Sequence, residues 1–424
     1  MIAFSFLVLL LILLLIGLPI GFVLLIVGSG GIIVISGFDS LNGMLSTAVY
    51  RSVNSFSLTT VPLFILMAHF ISKSRVAEDL FDCILKWVGH APGGAGLATV
   101  FSSAGFGALS GSSVAATSIM SQIAVPQMVK ARYSESFAAG LIASCTGTLA
   151  VMIPPSIPLV VYAIQTENSI GKLLIAGIFP GLLLAALLSI TVVIVAVKNN
   201  SKTERYSWKE RFSSLKYIWP IAVLVIFMLS LIFFGITTTT EAAAFGAAGA
   251  LVLGLAMKRL KVNLIIEALQ LTVKSTSMIF TIIIGAHLFS YFIALTRVGN
   301  TIINAIEQSG LPAWSVLGLV IITYLILGMF LDLIGSLLLT LPLVYPLLTG
   351  LGYDPIWLGV IIVLLLEIGL VTPPVGINLF ITSQHSGVSV QKIIVGSLPF
   401  IGVLLLTIFI LILFPQIVLY LPNL

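Results

Sequence analysis

Charged side chains are scarce in this sequence. Only 8% of the 424 residues are Asp, Glu, Lys or Arg and 59% are hydrophobic, whereas about a quarter of residues are charged in a typical soluble domain. Apolar runs of about 18 or more residues, the length that a membrane-spanning helix needs, recur along the chain. These runs do not alternate with period two, which argues against a transmembrane β-barrel. The composition predicts an all-α polytopic membrane protein.

Cysteine is also rare, and signatures of enzymes are missing. Cys83 and Cys145 have no spacing typical of a disulfide or a metal site, so we expect both to pack as small apolar residues. The chain has no HExxH, no P-loop and too few polar residues for an intramembrane catalytic triad. The first 27 residues lack a basic segment and a cleavage site, which predicts a retained anchor. No feature supports an enzyme.

Positive charge is concentrated in one polar linker. Of the 19 Lys and Arg residues, six lie between Lys198 and Lys216. Basic residues in short loops mark the cytoplasmic side, so the linker is predicted to be cytoplasmic. Counting crossings from it places only Arg51, Lys172 and Arg297 outside. This topology accounts for the pI of 9.2 without a nucleic-acid partner, and it leaves the side of the N-terminus open.

The second half of the chain repeats the first. Tyr133, Phe137, Pro154, Pro155, Ser169, Lys172, Gly177 and Pro180 recur at offsets of 219 or 220 as Tyr353, Trp357, Pro373, Pro374, Ser389, Lys392, Gly396 and Pro399. An odd number of crossings separates the copies, so they are predicted to have opposite orientations in the membrane. Such inverted repeats are typical of secondary transporters. The repeats are assigned to 1–210 and 211–424.

Each repeat contains a long apolar segment with a Pro-Pro pair near its middle, at 134–165 and 355–384. As straight helices these segments would be about 45 Å long, against a hydrocarbon core of about 30 Å. Proline lacks an N–H and clashes with the preceding turn, so both segments are predicted to be broken helices. The carbonyls released would be those of Ala150, Val151, Gly369 and Leu370. Such carbonyls suit a hard cation such as Na⁺, and the alternative is a simple kink healed by neighbouring hydroxyl groups.

Two further apolar stretches have small residues at their middle. Residues 93–131 contain SAGFGALSGSS, and 313–350 contain GMFLDLIGS. Each stretch is either two thin crossings or one re-entrant helical hairpin, and both forms return the chain to its starting side. Helices that begin near Ser112 and Ser336 would direct unpaired N–H groups at an anion. Small-residue helix packing is the alternative.

Three carboxylates lie at membrane depth, where such groups are costly and usually functional. Glu241 follows a run of threonines at a helix start, which also suits a capping role. Asp332 lies beside the second tip and Glu367 precedes the second break, so both are candidates for a role in transport. For His69 and His287, which lie near segment ends, we expect hydrogen-bonded packing, and a proton relay is the alternative.

Two amphipathic segments are predicted on the cytoplasmic side. Residues 76–88 and 262–273 place apolar side chains at helical spacing, with charged residues between them. Helices of this kind lie along a membrane surface. Here they would join a static part of the protein to a part that carries the hairpins.

Seven ordered motifs carry a resemblance to a known family. They are PLFILMAHF (62–70), LSGSSVAATS (109–118), IPPSIPLVVY (153–162), GIFPGLL (177–183), TTTTEAAAFG (237–246), LDLIGSLLLTLPLVYPLL (331–348) and TPPVGINLF (372–380). With them the chain resembles, over essentially its whole length, the large membrane subunit of tripartite ATP-independent periplasmic (TRAP) transporters, the DctM-like family. It departs from the family at Thr239-Thr240-Glu241, where Pro-Thr-Glu is usual, and at Ala68-His69, where Gly-Glu is common.

The resemblance implies an elevator-type, Na⁺-coupled importer in the bacterial inner membrane. Its partners would be a separate four-helix small membrane subunit and a soluble periplasmic substrate-binding protein. Its substrate would be an organic acid of the C4-dicarboxylate or sialic acid class. The rival hypotheses are a stand-alone Na⁺/carboxylate symporter and a non-transporting subunit of a membrane complex.

The resemblance also implies which residues form the sites. The first Na⁺ site would consist of Gly111, Ser112, Ser113, Gly147, Ala150 and Pro154. The second Na⁺ site would consist of Gly335, Ser336, Gly369, Thr372 and Gly376. The substrate carboxylate would lie between the tips, at Ser112, Ser113, Asp332, Ser336 and Thr340. Related Na⁺/dicarboxylate carriers have Ser-Asn-Thr at their tips, and this triplet is absent from both tips here.

Overall fold

The chain folds as a bundle of helices. The computed structural model describes residues 2–198, 205–216, 218–299, 301 and 310–424, and within these ranges it contains no strand. In chain order the α-helices are α1 Ile2–Leu15, α2 Ile20–Ser36, α3 Phe38–Val53, α4 Thr60–Lys73, α5 Val76–Val88, α6 Gly94–Ser110, α7 Ser113–Lys130, α8 Glu135–Met152, α9 Ile157–Gln165, α10 Ile170–Ala176, α11 Ile178–Lys198, α12 Trp208–Leu215, α13 Trp219–Phe233, α14 Thr239–Ala256, α15 Val262–Thr296, α16 Ala313–Phe330, α17 Leu333–Gly350, α18 Pro355–Gly369, α19 Ile377–Ser386, α20 Val390–Leu413 and α21 Gln416–Leu419.

Many of these helices can cross a membrane. Eight helical segments in the described part of the chain are long and apolar enough: Phe56–Lys73, Glu135–Met152, Ile170–Val197, Thr239–Ala256, Val262–Thr296, Ala313–Phe330, Leu333–Gly350 and Val390–Leu413. A ninth is obtained if α12 and α13 form one bent span. The protein is therefore a multi-pass membrane protein.

Each stretch with small residues at its middle forms two helices joined by a short tip. In the first, α6 and α7 are joined at Gly111-Ser112, where Gly111 has a left-handed φ of 57°. In the second, α16 and α17 are joined at Leu331-Asp332. We call these pairs hairpin 1 and hairpin 2. Their depth in the membrane stays a prediction.

Both Pro-Pro segments are interrupted helices, as the sequence predicts. Helix α8 ends at Met152 and α9 begins at Ile157, and the second interruption separates α18 from α19. The Pro154–Pro155 and Pro373–Pro374 peptide bonds are both cis. We call the two interruptions break 1 (153–156) and break 2 (370–376). Because proline supplies no N–H, neither helix continues through its break with regular hydrogen bonds.

One predicted amphipathic arm is a separate helix and the other is not. Helix α5 follows Arg75, whose left-handed φ of 55° turns the chain after α4. Residues 262–273, in contrast, are the beginning of α15, which runs for 35 residues without interruption. The prediction of a separate arm at 262–273 is wrong. No proline lies between Val262 and Thr296, so nothing in this stretch removes a backbone donor and ends the helix.

The linker that is predicted to be cytoplasmic contains α12, which is stabilised by a capping box. The Ser207 hydroxyl accepts a hydrogen bond from the Glu210 N–H, and the Glu210 carboxylate accepts from the Ser207 N–H at 2.8 Å. The hydroxyl of Ser207 also donates to this carboxylate at 2.7 Å. Hydrogen bonds from the Ser207 side chain and then its backbone hold the pKa of Glu210 below its ordinary value.

Close packing between four helices forms a frame beside the hairpins. Helix α2 packs along α15, where a Cβ added at Gly28 would lie 2.7 Å from the backbone nitrogen of Phe289. Helix α4 packs along α14, and the buried hydroxyls of Thr60 and Thr240 are 2.7 Å apart. Small residues and paired hydroxyls are the usual means by which helices associate in membranes. We call α2, α4, α14 and α15 the frame.

We predict that the contact between α2 and α15 tolerates no side chain at position 28. Gly28→Ala would press a methyl group against backbone atoms that cannot rotate away, and overpacking of this kind costs about 1–3 kcal/mol. Thermal unfolding of the detergent-purified protein measures the loss as a lower Tm.

Gly318→Ala in α16 is the matched control, because nothing lies within 4 Å of an added Cβ there. We expect an unchanged or higher Tm, since alanine favours a helix over glycine. Equal Tm values for the two variants would contradict close packing at Gly28.

Candidate functional site

A cavity of about 490 Å³ lies where the hairpin tips, the breaks and the frame meet. The tips contribute Ser112, Ser113 and Asp332, the region of the breaks contributes Ile157 and Leu370, and the frame contributes His69, Ser72 and Ser275. We call it the central cavity. Apolar side chains form most of its wall, with a few polar groups between them, as is usual for small-molecule sites.

The tip of hairpin 1 lies against break 1. The N–H of Ile157 donates to the carbonyl oxygen of Gly111 at 3.4 Å, and a Cβ added at Gly111 would lie 2.7 Å from the carbonyl oxygen of Pro155. The Ser112 hydroxyl caps α7 by accepting from the Ala115 N–H at 3.5 Å. The helix start that was predicted near Ser112 is thus confirmed.

Hairpin 2 contacts break 2 in a similar way. The N–H of Gly376 donates to the carbonyl oxygen of Met329 at 3.2 Å. Below the tip, Gly328 and Gly369 are in such close contact that a Cβ added at Gly369 would lie 2.5 Å from the Cα of Gly328. The same closeness occurs in the first half, where a Cβ added at Gly107 would lie 2.5 Å from the Cα of Ala150. Each hairpin therefore packs backbone to backbone on its own interrupted helix.

The predicted helix start near Ser336 is wrong. Helix α17 begins at Leu333, and Asp332 is its N-cap, accepting from the Gly335 N–H at 3.0 Å. The Ser336 N–H donates to the Asp332 carbonyl oxygen at 3.0 Å, so it is not available to an anion. Aspartate is among the best N-cap residues, which explains why the helix starts three residues earlier.

A buried polar cluster joins hairpin 1 to the second interrupted helix. The Ser113 hydroxyl donates to Glu367 Oε2 at 3.0 Å and accepts from Asn378 Nδ2 at 3.0 Å. A Cβ added at Gly147 would lie 2.2 Å from Ser113 Oγ, so only glycine leaves room for the cluster. Glu367 and Asn378 are both 0% exposed. We call these four residues the polar cluster.

Several buried oxygen atoms of the hairpins and of the second interrupted helix have no partner in the described part of the protein. They are Glu367 Oε1, Thr117 Oγ1, Ser336 Oγ and Thr382 Oγ1. Buried polar atoms are almost always paired, so unpaired ones call for an explanation such as an ion or water. No group of three or more His, Cys, Asp or Glu residues suited to a metal occurs in the described ranges. Hydroxyl, carbonyl and single carboxylate oxygens are the donors present, and hard cations prefer oxygen ligands of this kind.

Two of the carbonyls that were predicted to be released at break 2 are paired. The Gly369 oxygen accepts from the Thr372 N–H and the Leu370 oxygen accepts from the Asn378 N–H, each at 3.0 Å. The loop of break 2 folds back on the end of α18 and supplies donors that a straight helix would not. For Ala150 and Val151, the residues four positions on are Pro154 and Pro155, which have no N–H to offer.

The remaining predicted site residues lie around the cavity rather than in its wall. The Thr340 hydroxyl is 2.7 Å from the Tyr324 hydroxyl and also donates to the Ser336 carbonyl oxygen at 2.8 Å. The Thr372 hydroxyl donates to the Ile368 carbonyl oxygen at 2.6 Å. Thr340, Thr372 and Ser336 are not among the residues that line the central cavity in the described structure. Ser112, Ser113 and Asp332, in contrast, do line the central cavity.

Glu241 has a structural role. Its carboxylate accepts from the Thr238 N–H at 2.8 Å and from the Thr238 hydroxyl at 2.9 Å, which forms a capping box at the start of α14. A capping box satisfies backbone donors that the first helical turn leaves unpaired. The capping alternative thus accounts for Glu241.

A second cavity, of about 880 Å³, lies on another side of the frame. It is lined by Ser57, Glu167, Asn168, Thr238 and His287, among others. His287 therefore faces this second cavity, whereas His69 faces the central cavity. No hydrogen bond joins either imidazole to a described residue, so the expected hydrogen-bonded packing is wrong for both.

We predict that loss of the Ser113 hydroxyl destabilises the protein even without Na⁺. Ser113→Ala would leave the Glu367 carboxylate without its donor and the Asn378 amide without its acceptor, which costs about 1–3 kcal/mol in a buried site. Thermal unfolding in choline buffer measures the change.

Ser189→Ala is the control, because its hydroxyl donates only to Ala185, one turn back in α11. We expect a change below about 0.5 kcal/mol there. An unchanged Tm for Ser113→Ala would mean that the polar cluster does not hold hairpin 1.

The described residues form a helical bundle with a partly polar cavity between two hairpins and two interrupted helices, an arrangement that fits a membrane transporter. The chain belongs to the family described as "Tripartite ATP-independent periplasmic transporter, DctM component", whose model matches residues 7–417. It is therefore a transporter permease subunit and not an enzyme.

Three characterised relatives illustrate the range of the family. The C4-dicarboxylate TRAP transporter large permease protein DctM of Pseudomonas aeruginosa is 38% identical over 382 residues, which cover 89% of both chains. The ectoine TRAP transporter large permease protein TeaC of Halomonas elongata is 34% identical over 388 residues, 90% of both chains. The sialic acid TRAP transporter large permease protein SiaM of Vibrio cholerae is 30% identical over 411 residues, 96% of this chain and 95% of the relative.

The fold also resembles a solved structure. The crystal structure of the Alcanivorax borkumensis YdaH transporter matches 91% of both chains with a TM-score of 0.63. The sequences are 14% identical, so the likeness concerns the fold alone.

Proposed function

We propose that this chain is the substrate-translocating subunit of a Na⁺-coupled TRAP transporter in a bacterial inner membrane. It would import an organic acid of the C4-dicarboxylate or sialic acid class. A periplasmic binding protein would deliver the acid, and a separate four-helix small membrane subunit would complete the complex. Family membership and the names of the relatives support the class of substrate. The observation that carries the proposal is the central cavity between two hairpin tips and two breaks.

The two halves are proposed to be inverted structural repeats. Equivalent positions have equivalent local geometry, which supports this. Tyr133 stacks on Phe137 at 5.5 Å with an interplanar angle of 12°, and Tyr353 stacks on Trp357 at 5.5 Å with an angle of 14°. The backbone is left-handed both at Arg132 and at Gly352, the position 220 residues later. Inverted repeats allow the halves to exchange conformations and so to alternate access.

The moving part of an elevator would consist of the hairpins and the interrupted helices. Each hairpin is bonded to its own break, and the Ser113–Glu367 hydrogen bond joins hairpin 1 to the second interrupted helix. These contacts favour movement as one body. The frame would stay fixed, because α2 with α15 and α4 with α14 form continuous close-packed contacts.

The co-transported Na⁺ ions are proposed to bind beside the tips. For the first ion, Gly111, Ser112, Ser113, Gly147, Ala150 and Pro154 would provide oxygens and space. The Glu367 carboxylate, 3.0 Å from Ser113 Oγ, would add negative charge nearby. The second ion would be bound by Gly335, Ser336, Gly369, Thr372 and Gly376. The unpaired Ser336 hydroxyl supports this site. A carbonyl oxygen has two lone pairs, so the paired Gly369 carbonyl can still accept a cation.

The organic acid would bind in the central cavity. Ser112 and Ser113 supply hydroxyl groups, and α7 directs its N-terminus toward this region, where a carboxylate is stabilised. Asp332 would repel a free carboxylate, so a cation bound nearby would make the cavity more attractive to an anion. Binding of the organic acid would thus depend on bound Na⁺, and this dependence would couple the transport of the acid to that of the ion. Thr340 and Ser336 would support the second tip from behind.

We predict that uptake needs three proteins and a Na⁺ gradient. Proteoliposomes that contain this chain, its small subunit and its binding protein should accumulate labelled succinate, sialic acid or ectoine when Na⁺ is outside. Omission of either partner or equal Na⁺ on both sides should abolish accumulation. Transport by this chain alone would support the stand-alone symporter. Na⁺-independent uptake by the full set would remove the proposed ions, and no uptake of any solute would favour a non-transporting subunit.

We further predict that Ser113 and Thr372 set the dependence on Na⁺. Ser113→Ala and Thr372→Ala should each raise the Na⁺ concentration for half-maximal uptake by about tenfold, the effect of losing one ligand to a charged group. Thr191→Ala is the matched control, because its hydroxyl makes the same one-turn hydrogen bond, to Leu187, outside the site. Unchanged Na⁺ dependence in both variants would exclude these side chains from the ion sites.

A further inference from the structure

The frame carries the same short sequence twice, and the two copies face different cavities. Ala68-His69-Phe-Ile-Ser72 in α4 corresponds to Ala286-His287-Leu-Phe-Ser290 in α15, with an offset of 218. Both helices end shortly afterwards at an arginine with left-handed backbone, Arg75 at φ 55° and Arg297 at φ 54°. The second copy has four more residues before its arginine, which is about one helical turn. The histidines therefore occupy corresponding places in the two halves.

The predicted topology assigns the two cavities to opposite sides of the membrane. The central cavity is lined by Ser72 and Ser275, the neighbours of Lys73 and Lys274, which mark the cytoplasmic side. The second cavity is lined by Gly171, the neighbour of Lys172, on the side predicted to be external. By this topology, His69 lines the cavity on the cytoplasmic side and His287 lines the cavity on the external side.

Both imidazoles are free to meet a ligand. No hydrogen bond joins either ring to another residue in the ranges that the structure describes, whereas His385 bonds Ser118 at 2.9 Å and His90 lies 3.2 Å from Arg211. A neutral imidazole always has one N–H to donate, and a carboxylate is its natural acceptor. Both histidines lie on the frame, across the cavity from groups that would move, so neither depends on the hairpins for its position.

We propose that His69 and His287 are alternating contacts for the organic anion. The His69 imidazole donates a hydrogen bond to a carboxylate held in the cavity open to the cytoplasm. The His287 imidazole makes the corresponding contact when the cavity opens to the other side. The inference rests on the proposed function, because it assumes that the hairpins and interrupted helices shift along the frame. The inference adds His69 and His287 to the proposed substrate site, as residues that bind the same anion on the two sides of the membrane.

Exchange kinetics in the reconstituted three-protein system test the contacts. The half-saturating concentration of the transported acid is measured separately on each side, with succinate, sialic acid and ectoine tried in turn. His69→Ala should raise the cytoplasmic-side value at least about tenfold and leave the external value within about twofold. His287→Ala should do the reverse. His90→Ala, a histidine outside both cavities, should change neither value. His69→Gln, which keeps an N–H donor, should restore part of the loss.

Sided labelling provides a readout that does not need transport. In a chain whose two cysteines are replaced by alanine, His69→Cys should react with an impermeant maleimide only from the cytoplasmic face, and His287→Cys only from the external face. The transported acid should slow each reaction.

The outcomes distinguish a failure of the alternating histidine contacts from a failure of the proposed transport function. Equal kinetic effects on both sides, or none, in variants that still transport would overturn the alternating contacts. Labelling of both positions from one face would overturn them as well. Failure of the unaltered system to transport any acid would instead remove the proposed function, and the labelling pattern would still decide whether the histidines face opposite sides.

Discussion

A helix interrupted inside a membrane has to find partners for its backbone groups, and the rest of this structure depends on how it does so. In hydrocarbon an unpaired N–H or carbonyl costs several kcal/mol, roughly as much as a whole protein can lose before it unfolds. Here the hairpins supply acceptors for N–H groups, and the chain that follows α18 supplies donors for the carbonyls of Gly369 and Leu370. Gly111 accepts from Ile157 at break 1, and Met329 accepts from Gly376 at break 2. Each hairpin therefore satisfies a backbone N–H of its own interrupted helix.

Glycine makes this pairing possible, and it also brings polar side chains together. Gly107 lies against Ala150 and Gly328 against Gly369 so closely that a methyl group would not fit at either glycine. Gly147 leaves the space in which Ser113, Glu367 and Asn378 meet. Glycine therefore serves two purposes here, close helix packing and space for a buried carboxylate. Its hydrogen bonds join parts of the chain that are 254 and 265 residues apart.

Much of the architecture could be predicted from sequence, because it follows from residue types with strong local effects. The Pro-Pro pairs at 154–155 and 373–374 each interrupt a helix, and the glycine and serines at 110–113 end one helix and start another. Asn378 was missed. It lies two residues after a glycine in an apolar motif, and only the folded contact with Ser113 reveals its use. The carbonyls of Gly369 and Leu370 were expected to be free, but whether a loop folds back on a helix end depends on tertiary structure.

Helix α15 has a consequence for how the protein responds to its surroundings. Its 35 residues span about 52 Å, so about 20 Å extend beyond the hydrocarbon core. At that end Lys73 pairs with Glu267, and Arg259 pairs with Asp79 at the base of α5. These pairs are partly exposed and weakened by salt, whereas the glycine contacts at membrane depth involve no charge. The ion pairs at this end of α15 should therefore weaken as the ionic strength rises, whereas the close packing of glycines between helices should not.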